Sequence, residues 1–130
     1  MTTTLIVDDE ALPRDVLAGW VRDHGFNART APDARSALVL MEDAPPAVAV
    51  VDVRMPGPDG LWLADQIRQH YPATAVVVST GTLDLDSALW CLRDDVFGYL
   101  VKPYSRAEFE RTIDRAHAWH RDQLSTPAAQ

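Results

Sequence analysis

The chain has little of what several classes of protein require. A single cysteine, Cys91, in 130 residues rules out an internal disulfide and a cysteine-rich metal site, and it fits a reducing cytoplasm. Basic residues never form a run and the formal net charge is −7, which argues against a nucleic-acid surface on this domain. No apolar stretch approaches the ~20 residues needed to span a bilayer. The N-terminus has no basic segment followed by an apolar core, so no secretory signal is expected. What is present is ordinary for a globular protein: 47% hydrophobic and 24% charged residues, at a length that fits one domain with a real core.

Short apolar runs alternate with longer amphipathic stretches, the pattern of an α/β fold with a buried parallel sheet. Strands are predicted at Thr4–Val7, Asn27–Thr30, Val48–Asp52, Ala75–Ser79 and Gly98–Val101. Helices are predicted at Leu12–His24, Ala34–Glu42, Leu61–His70, Leu83–Arg93 and Arg106–Asp122. Pro13 suits a first helical turn, where its missing N–H costs nothing. Asp33 reads as an N-cap and Ser105-Arg106-Ala107-Glu108 as a capping box. Phe109, Ile113 and Ala116 form the inward stripe of the last helix.

The chemistry gathers at strand ends. Asp8-Asp9-Glu10 follows Leu5-Ile6-Val7, and Asp52 closes the third apolar run and opens Val53-Arg54-Met55-Pro56-Gly57-Pro58-Asp59-Gly60. A parallel sheet carries both acidic groups to one edge, where they repel one another, and a divalent cation is the simplest relief. The fourth run ends in Thr80-Gly81 and the fifth, Tyr99-Leu100-Val101, in Lys102-Pro103.

This set of residues resembles the receiver domain of two-component response regulators, over a span from about Thr4 to about Arg121. The resemblance implies a flavodoxin-like, doubly wound, five-stranded parallel sheet of order 2-1-3-4-5 with helices on both faces, which brings Asp8, Asp9 and Asp52 together at the switch point. It implies that Asp52 accepts a phosphoryl group from a histidine kinase or phosphotransfer protein, as a carboxylate nucleophile. Mg2+ would be held by Asp9, Asp52 and the backbone carbonyl of Arg54, with Asp8 acting through water. Lys102 would supply a mobile positive charge to the phosphoryl group, aimed by Pro103, whose preceding bond is commonly cis in the family. Thr80 would follow the new phosphoryl oxygen and Tyr99 would act as the switch aromatic, phosphorylation shifting the population of their arrangements. Such a domain assists its own phosphorylation and dephosphorylation and is not otherwise an enzyme.

Taken singly, each residue has a plainer account. Asp8 to Glu10 and Thr80 could be helix caps, Tyr99 a strand aromatic and Lys102 a solvated lysine. Five such features in the family's order are not explained that way. Cys91 is read as a packing residue. His24, His70, His117 and His120 are read as surface residues, and no partner ligands accompany the last two for a metal site. The chain departs from the family where Asp95-Val96 replaces a common Gly-Ala pair before Tyr99, which would alter how the Leu83–Arg93 helix ends. Arg54 places a long cation beside the site, either tuning phosphoryl lifetime or simply facing solvent. Two alternatives on similar architectures fare worse. A haloacid dehalogenase-type hydrolase, which forms an aspartyl-phosphate, needs a second aspartate where Arg54 stands. A flavin-binding module needs a phosphate-cradling loop where Asp8-Asp9-Glu10 would repel it.

In the Leu83–Arg93 stretch, Leu85, Ala88, Leu89 and Leu92 share the inward face. Trp90 lines up with Leu83 off that stripe, beside Asp86 and Asp94. The Leu83/Trp90 and Tyr99 face is therefore expected to bind a second copy or an output partner. Residues 1–124 are expected to form the receiver domain, with Ser125–Gln130 a flexible tail or the start of a linker. The chain would then be either a stand-alone regulator or part of a longer protein with an output domain.

Overall fold

The computed structural model describes residues 2–81 and 96–125. The described elements are β1 (Thr3–Val7), α1 (Ala11–Asp23), β2 (Asn27–Ala31), α2 (Ala34–Asp43), β3 (Val48–Asp52), α3 (Gly60–His70), β4 (Ala75–Thr80), β5 (Gly98–Val101) and α4 (Arg106–Ser125). Each predicted strand forms within one residue at either end. The predicted Leu83–Arg93 helix, with Cys91 and Trp90, lies outside the described residues. The last helix, expected to stop at Asp122, continues to Ser125, whose hydroxyl donates to the Arg121 carbonyl at 2.9 Å.

All pairings are parallel and the order is β2-β1-β3-β4-β5. Strict alternation along each strand sorts the core into two layers. Leu5, Val7, Ala49, Val51, Val76 and Val78 pack against α2 and α3 through Ala37, Met41, Leu63 and Ile67. Ile6, Val48, Val50, Ala75, Val77 and Leu100 pack against α1 and α4 through Leu17, Val21, Phe109 and Ile113. Full burial of such side chains contributes roughly 1.5–3 kcal/mol each, which is why these apolar runs sit in the middle of the sheet.

Local signals set the helix ends. Asp33 accepts from the Ser36 N–H at 2.8 Å and Asp59 from the Trp62 N–H at 3.0 Å. Ser105 Oγ accepts from the Glu108 N–H at 3.0 Å, one arm of the capping box. The chain leaves α1 through Gly25 at φ +95°, with Gly25 N–H donating to the Arg22 carbonyl and Phe26 N–H to that of Val21, a Schellman exit that needs the left-handed glycine.

His117 corrects the surface reading of the histidines. It is 1% exposed, because it lies four residues after Ile113 and continues the inward stripe of α4. Its Nε2 is 2.8 Å from Thr4 Oγ1 and its ring stacks on Phe26 at 3.9 Å. Its Nδ1 is buried with no hydrogen-bond partner among the described residues. Burial, helped by His120 and Arg121, pushes its pKa down to about 4.

Two predictions follow from this packing. His117 stays neutral in the folded chain while the unfolded chain protonates near pH 6.5, so its contribution is whole above that pH and is lost as pH falls toward 4. Urea unfolding of the wild type should lose about 2 kcal/mol more between pH 7 and pH 5 than His117→Gln does. Equal losses would mean that the ring titrates normally. At the other end of the sheet, Gly60 N–H donates to the Val53 carbonyl at 3.0 Å, and a Cβ on Gly60 would overlap the Asp52 carbonyl oxygen and lie 2.7 Å from its carbon. An exposed helical Gly→Ala change stabilises by roughly 0.5–1 kcal/mol. Gly60→Ala should instead cost roughly 1–3 kcal/mol, a sign that chemical denaturation reads directly.

Candidate functional site

Sheet register assembles the site. Val7 pairs with Val51, so Asp8, one residue on, is level with Asp52, which itself pairs with Ser79. Alternation then puts Asp8, Asp52, Ser79 and Lys102 on the α1/α4 side, in line with Ile6, Val50, Val77 and Leu100. Asp8 and Asp52 are 2% and 7% exposed, whereas Asp9 is exposed to solvent.

The three carboxylates each bring an oxygen within 4.8 Å of the others. Lys102 Nζ lies 3.5 Å from Asp52 Oδ1 and 3.7 Å from Asp8 Oδ2. Asp8 is fixed further by the Glu10 N–H, 2.9 Å from its Oδ1, and Arg14 Nη1 donates to its carbonyl at 3.0 Å. Burial pushes the Asp52 carboxyl up to about 6 against the pull of Lys102, with the Asp8 and Asp9 charges adding to the rise. Burial by itself would lower the Lys102 ammonium, but Asp52 and Asp8 outweigh it and raise its pKa. Three negative groups facing one ammonium leave a net negative, all-oxygen donor set, the kind a hard divalent cation such as Mg2+ takes. The residues fit that ion.

Thr80 ends β4, buried, and its carbonyl accepts the Lys102 N–H at 2.7 Å. Tyr99 lies across the sheet from Lys102, partly buried against the α2/α3 core with its hydroxyl out of solvent. Arg54 is exposed on the loop between β3 and α3. The Lys102–Pro103 bond is cis. The structure thus gathers Asp8, Asp9, Asp52 and Lys102, sets Thr80 at their edge, and keeps Tyr99 on the opposite face. Leu83 and Trp90 lie outside the described residues.

Sequence reasoning missed Arg14, Ser79 and Tyr104. Tyr104 OH and Ser79 Oγ are 3.0 Å apart, and burial raises the phenol's pKa. Tyr104 carries no local sequence signal, since its partner Ser79 lies 25 residues away.

Residues 4–114 match the family model of the response regulator receiver domain. The chain is 35% identical over 118 residues to the DNA-binding transcriptional regulator NtrC of Klebsiella pneumoniae, covering 91% of this chain and 25% of that protein. It is 35% identical over 112 residues to the regulatory protein AtoC of Escherichia coli strain K12, covering 86% of this chain and 24% of that one. It therefore spans about a quarter of the length of these relatives. Among solved structures, the receiver domain of NtrX from Brucella abortus superposes with a TM-score of 0.83 at 33% identity, over 88% of this chain and 98% of that one. A CheY-like receiver domain protein from Methanospirillum hungatei JF-1 shares the fold at a TM-score of 0.90 and 20% identity, over 95% and 98% of the two chains. The hydrolase and flavin alternatives lose their footing here: the chain belongs to the response regulator receiver domain family, the receiver modules of two-component phosphorelay signalling.

Proposed function

We propose that Asp52 is the phosphoacceptor, receiving its phosphoryl group from a sensor histidine kinase or a phosphotransfer protein. The observation that carries this reading is a buried carboxylate at the end of β3 with the Lys102 ammonium 3.5 Å away and two further acids converging on it. An Asp52 carboxylate oxygen attacks phosphorus, the phosphorus–nitrogen bond of the donor phosphohistidine breaks, and the imidazole leaves with the bonding electron pair. With its pKa at about 6, Asp52 is largely ionised at neutral pH and needs no base. Lys102, already within reach of Asp52, contacts a phosphoryl oxygen as charge moves onto it.

Asp9, Asp52 and the Arg54 carbonyl would hold Mg2+, with Asp8 engaging it through water. When bound, the ion neutralises charge on the phosphoryl oxygens. The Thr80 hydroxyl, at the end of β4, would donate to the new phosphoryl oxygen, and Tyr99 would respond through the α2/α3 face. An open apolar groove of about 400 Å3, lined by Pro13, Val16, Leu17, Trp20, Lys102 and Tyr104, supports a protein donor that docks beside the site. The domain acts on its own phosphoryl group rather than on a separate substrate, and it conveys the signal to a linked output domain or a partner. Among the described residues no helix is long and apolar enough to cross a membrane, which suits our placement of it in the cytoplasm.

Two predictions test the assignment. Incubated with acetyl phosphate and Mg2+, the wild type should gain one phosphoryl group by intact mass, and Asp52→Asn should gain none while remaining folded. An unchanged phosphorylated fraction in that variant would move the acceptor elsewhere. In a direct Mg2+ titration, Asp9→Ala should lose more than about tenfold in affinity, as expected for a ligand, and Asp8→Ala should lose less. Equal affinities across all three proteins would remove the proposed ion site.

A further inference from the structure

Lysine is a point charge on a flexible stem, so Lys102 is only as well aimed as the loop that carries it. That loop leaves β5 and reaches α4 at Arg106. Its main chain is tied to β4 at its start, where the Lys102 N–H donates to the Thr80 carbonyl at 2.7 Å. The second tie comes from a side chain. Tyr104 sends its ring into the α1/α4 core, stacked on the fully buried Phe109 at 6.2 Å and 10°, and its hydroxyl meets Ser79 Oγ at 3.0 Å.

Ser79 is not an arbitrary partner. It pairs with Asp52 across the sheet, and its carbonyl accepts the Val53 N–H at 3.1 Å. One serine is thus bonded through its main chain to the residue after Asp52 and through its side chain to the loop that carries Lys102. Packing alone would be satisfied by phenylalanine, which fills the same space and stacks the same way. The hydroxyl adds only a link between the two sides of the site.

We propose that the Ser79–Tyr104 hydrogen bond is a clamp that positions the Lys102 ammonium against Asp52 and so sets the rate of phosphoryl transfer. This rests on Asp52 as acceptor and Lys102 as the contact to its phosphoryl group. Tyr104 and Ser79 are positioning residues and act only through Lys102. Losing the Ser79–Tyr104 bond that holds the loop of the cation should slow the chemical step more than it weakens binding of the donor.

The test is the rate of Asp52 phosphorylation against acetyl phosphate concentration, with Mg2+, in the whole chain. Tyr104→Phe and Ser79→Ala should each lower the maximal rate roughly three- to tenfold, with little change in the half-saturating donor concentration. The double variant should be no slower than the slower single, because both changes remove one bond. Circular dichroism and urea midpoints confirm that the proteins compared are folded, and if Tyr104→Phe is not, Ser79→Ala, which leaves the ring packed, decides alone. An unchanged maximal rate in the folded variants overturns the clamp, as do losses that multiply in the double variant or that appear only in the half-saturating concentration. A wild type that takes no label on Asp52 overturns the acceptor assignment and the clamp with it, whereas a labelled wild type with indifferent variants overturns the clamp alone.

Discussion

Repulsion among three carboxylates is the constraint around which this molecule is arranged. Asp8, Asp9 and Asp52 present oxygens within 4.8 Å of one another, and two of them are almost wholly removed from water. Burial raises the pKa of Asp52, and the charges of Asp8 and Asp9 add to the rise. Only rigid neighbours keep such groups together. The hydrogen bonds of β1 and β3 fix two of them in register, Gly60 lets α3 press its first turn directly onto the Asp52 main chain, and Lys102 supplies the one nearby ammonium. The site's own charges are unbalanced toward the negative, which favours a cation. Under the proposed reading, a phosphoryl group arriving with a divalent ion would bring both the positive charge the carboxylates lack and oxygens for Lys102 to contact.

The parts of this arrangement that follow from periodicity could be read from the sequence. β1, β3, β4 and β5 hold apolar runs, whereas β2 (Asn27-Ala28-Arg29-Thr30-Ala31) does not. A parallel sheet puts the C-terminal boundaries of those runs at one edge, so Asp8, Asp52, Thr80 and Lys102 could be gathered without coordinates. The order of the strands was adopted from known folds and then observed. His117 was misread because residue type was allowed to outweigh helical spacing: histidine is more often at least partly exposed, but Phe109, Ile113 and Ala116 had already fixed the face to which it belongs. Thr4 and Phe26, which make that position tolerable for an imidazole, lie on other elements. The Ser79–Tyr104 bond was invisible for the same reason, since it joins residues 25 apart in sequence and depends on a loop path that no local pattern specifies. Asp59-Gly60 was noticed as a motif, but the reason for the glycine is a contact with main chain that only the folded structure reveals.

Alternation also separates the residues of the proposed chemistry from those of the proposed response on the same short strands. On β5, Leu100 faces the α1/α4 core and Lys102 continues on that side, while Tyr99 packs with the α2/α3 core. On β4 the same rule sets Ser79 with the Lys102 side and gives Thr80 the parity of Val76 and Val78, the Tyr99 side. The residues proposed to aim the ammonium thus share one face of the sheet, and the two proposed to carry the signal share the other. The connection between the faces runs through main chain: Thr80 follows Ser79 directly, and its carbonyl receives the Lys102 N–H. A shift of the Thr80 segment toward a new phosphoryl group would pull on the same peptide that holds Lys102. The Ser79–Tyr104 bond, anchored in the α1/α4 core through Phe109, would resist that pull on one side of the sheet and leave the Tyr99 side free to rearrange.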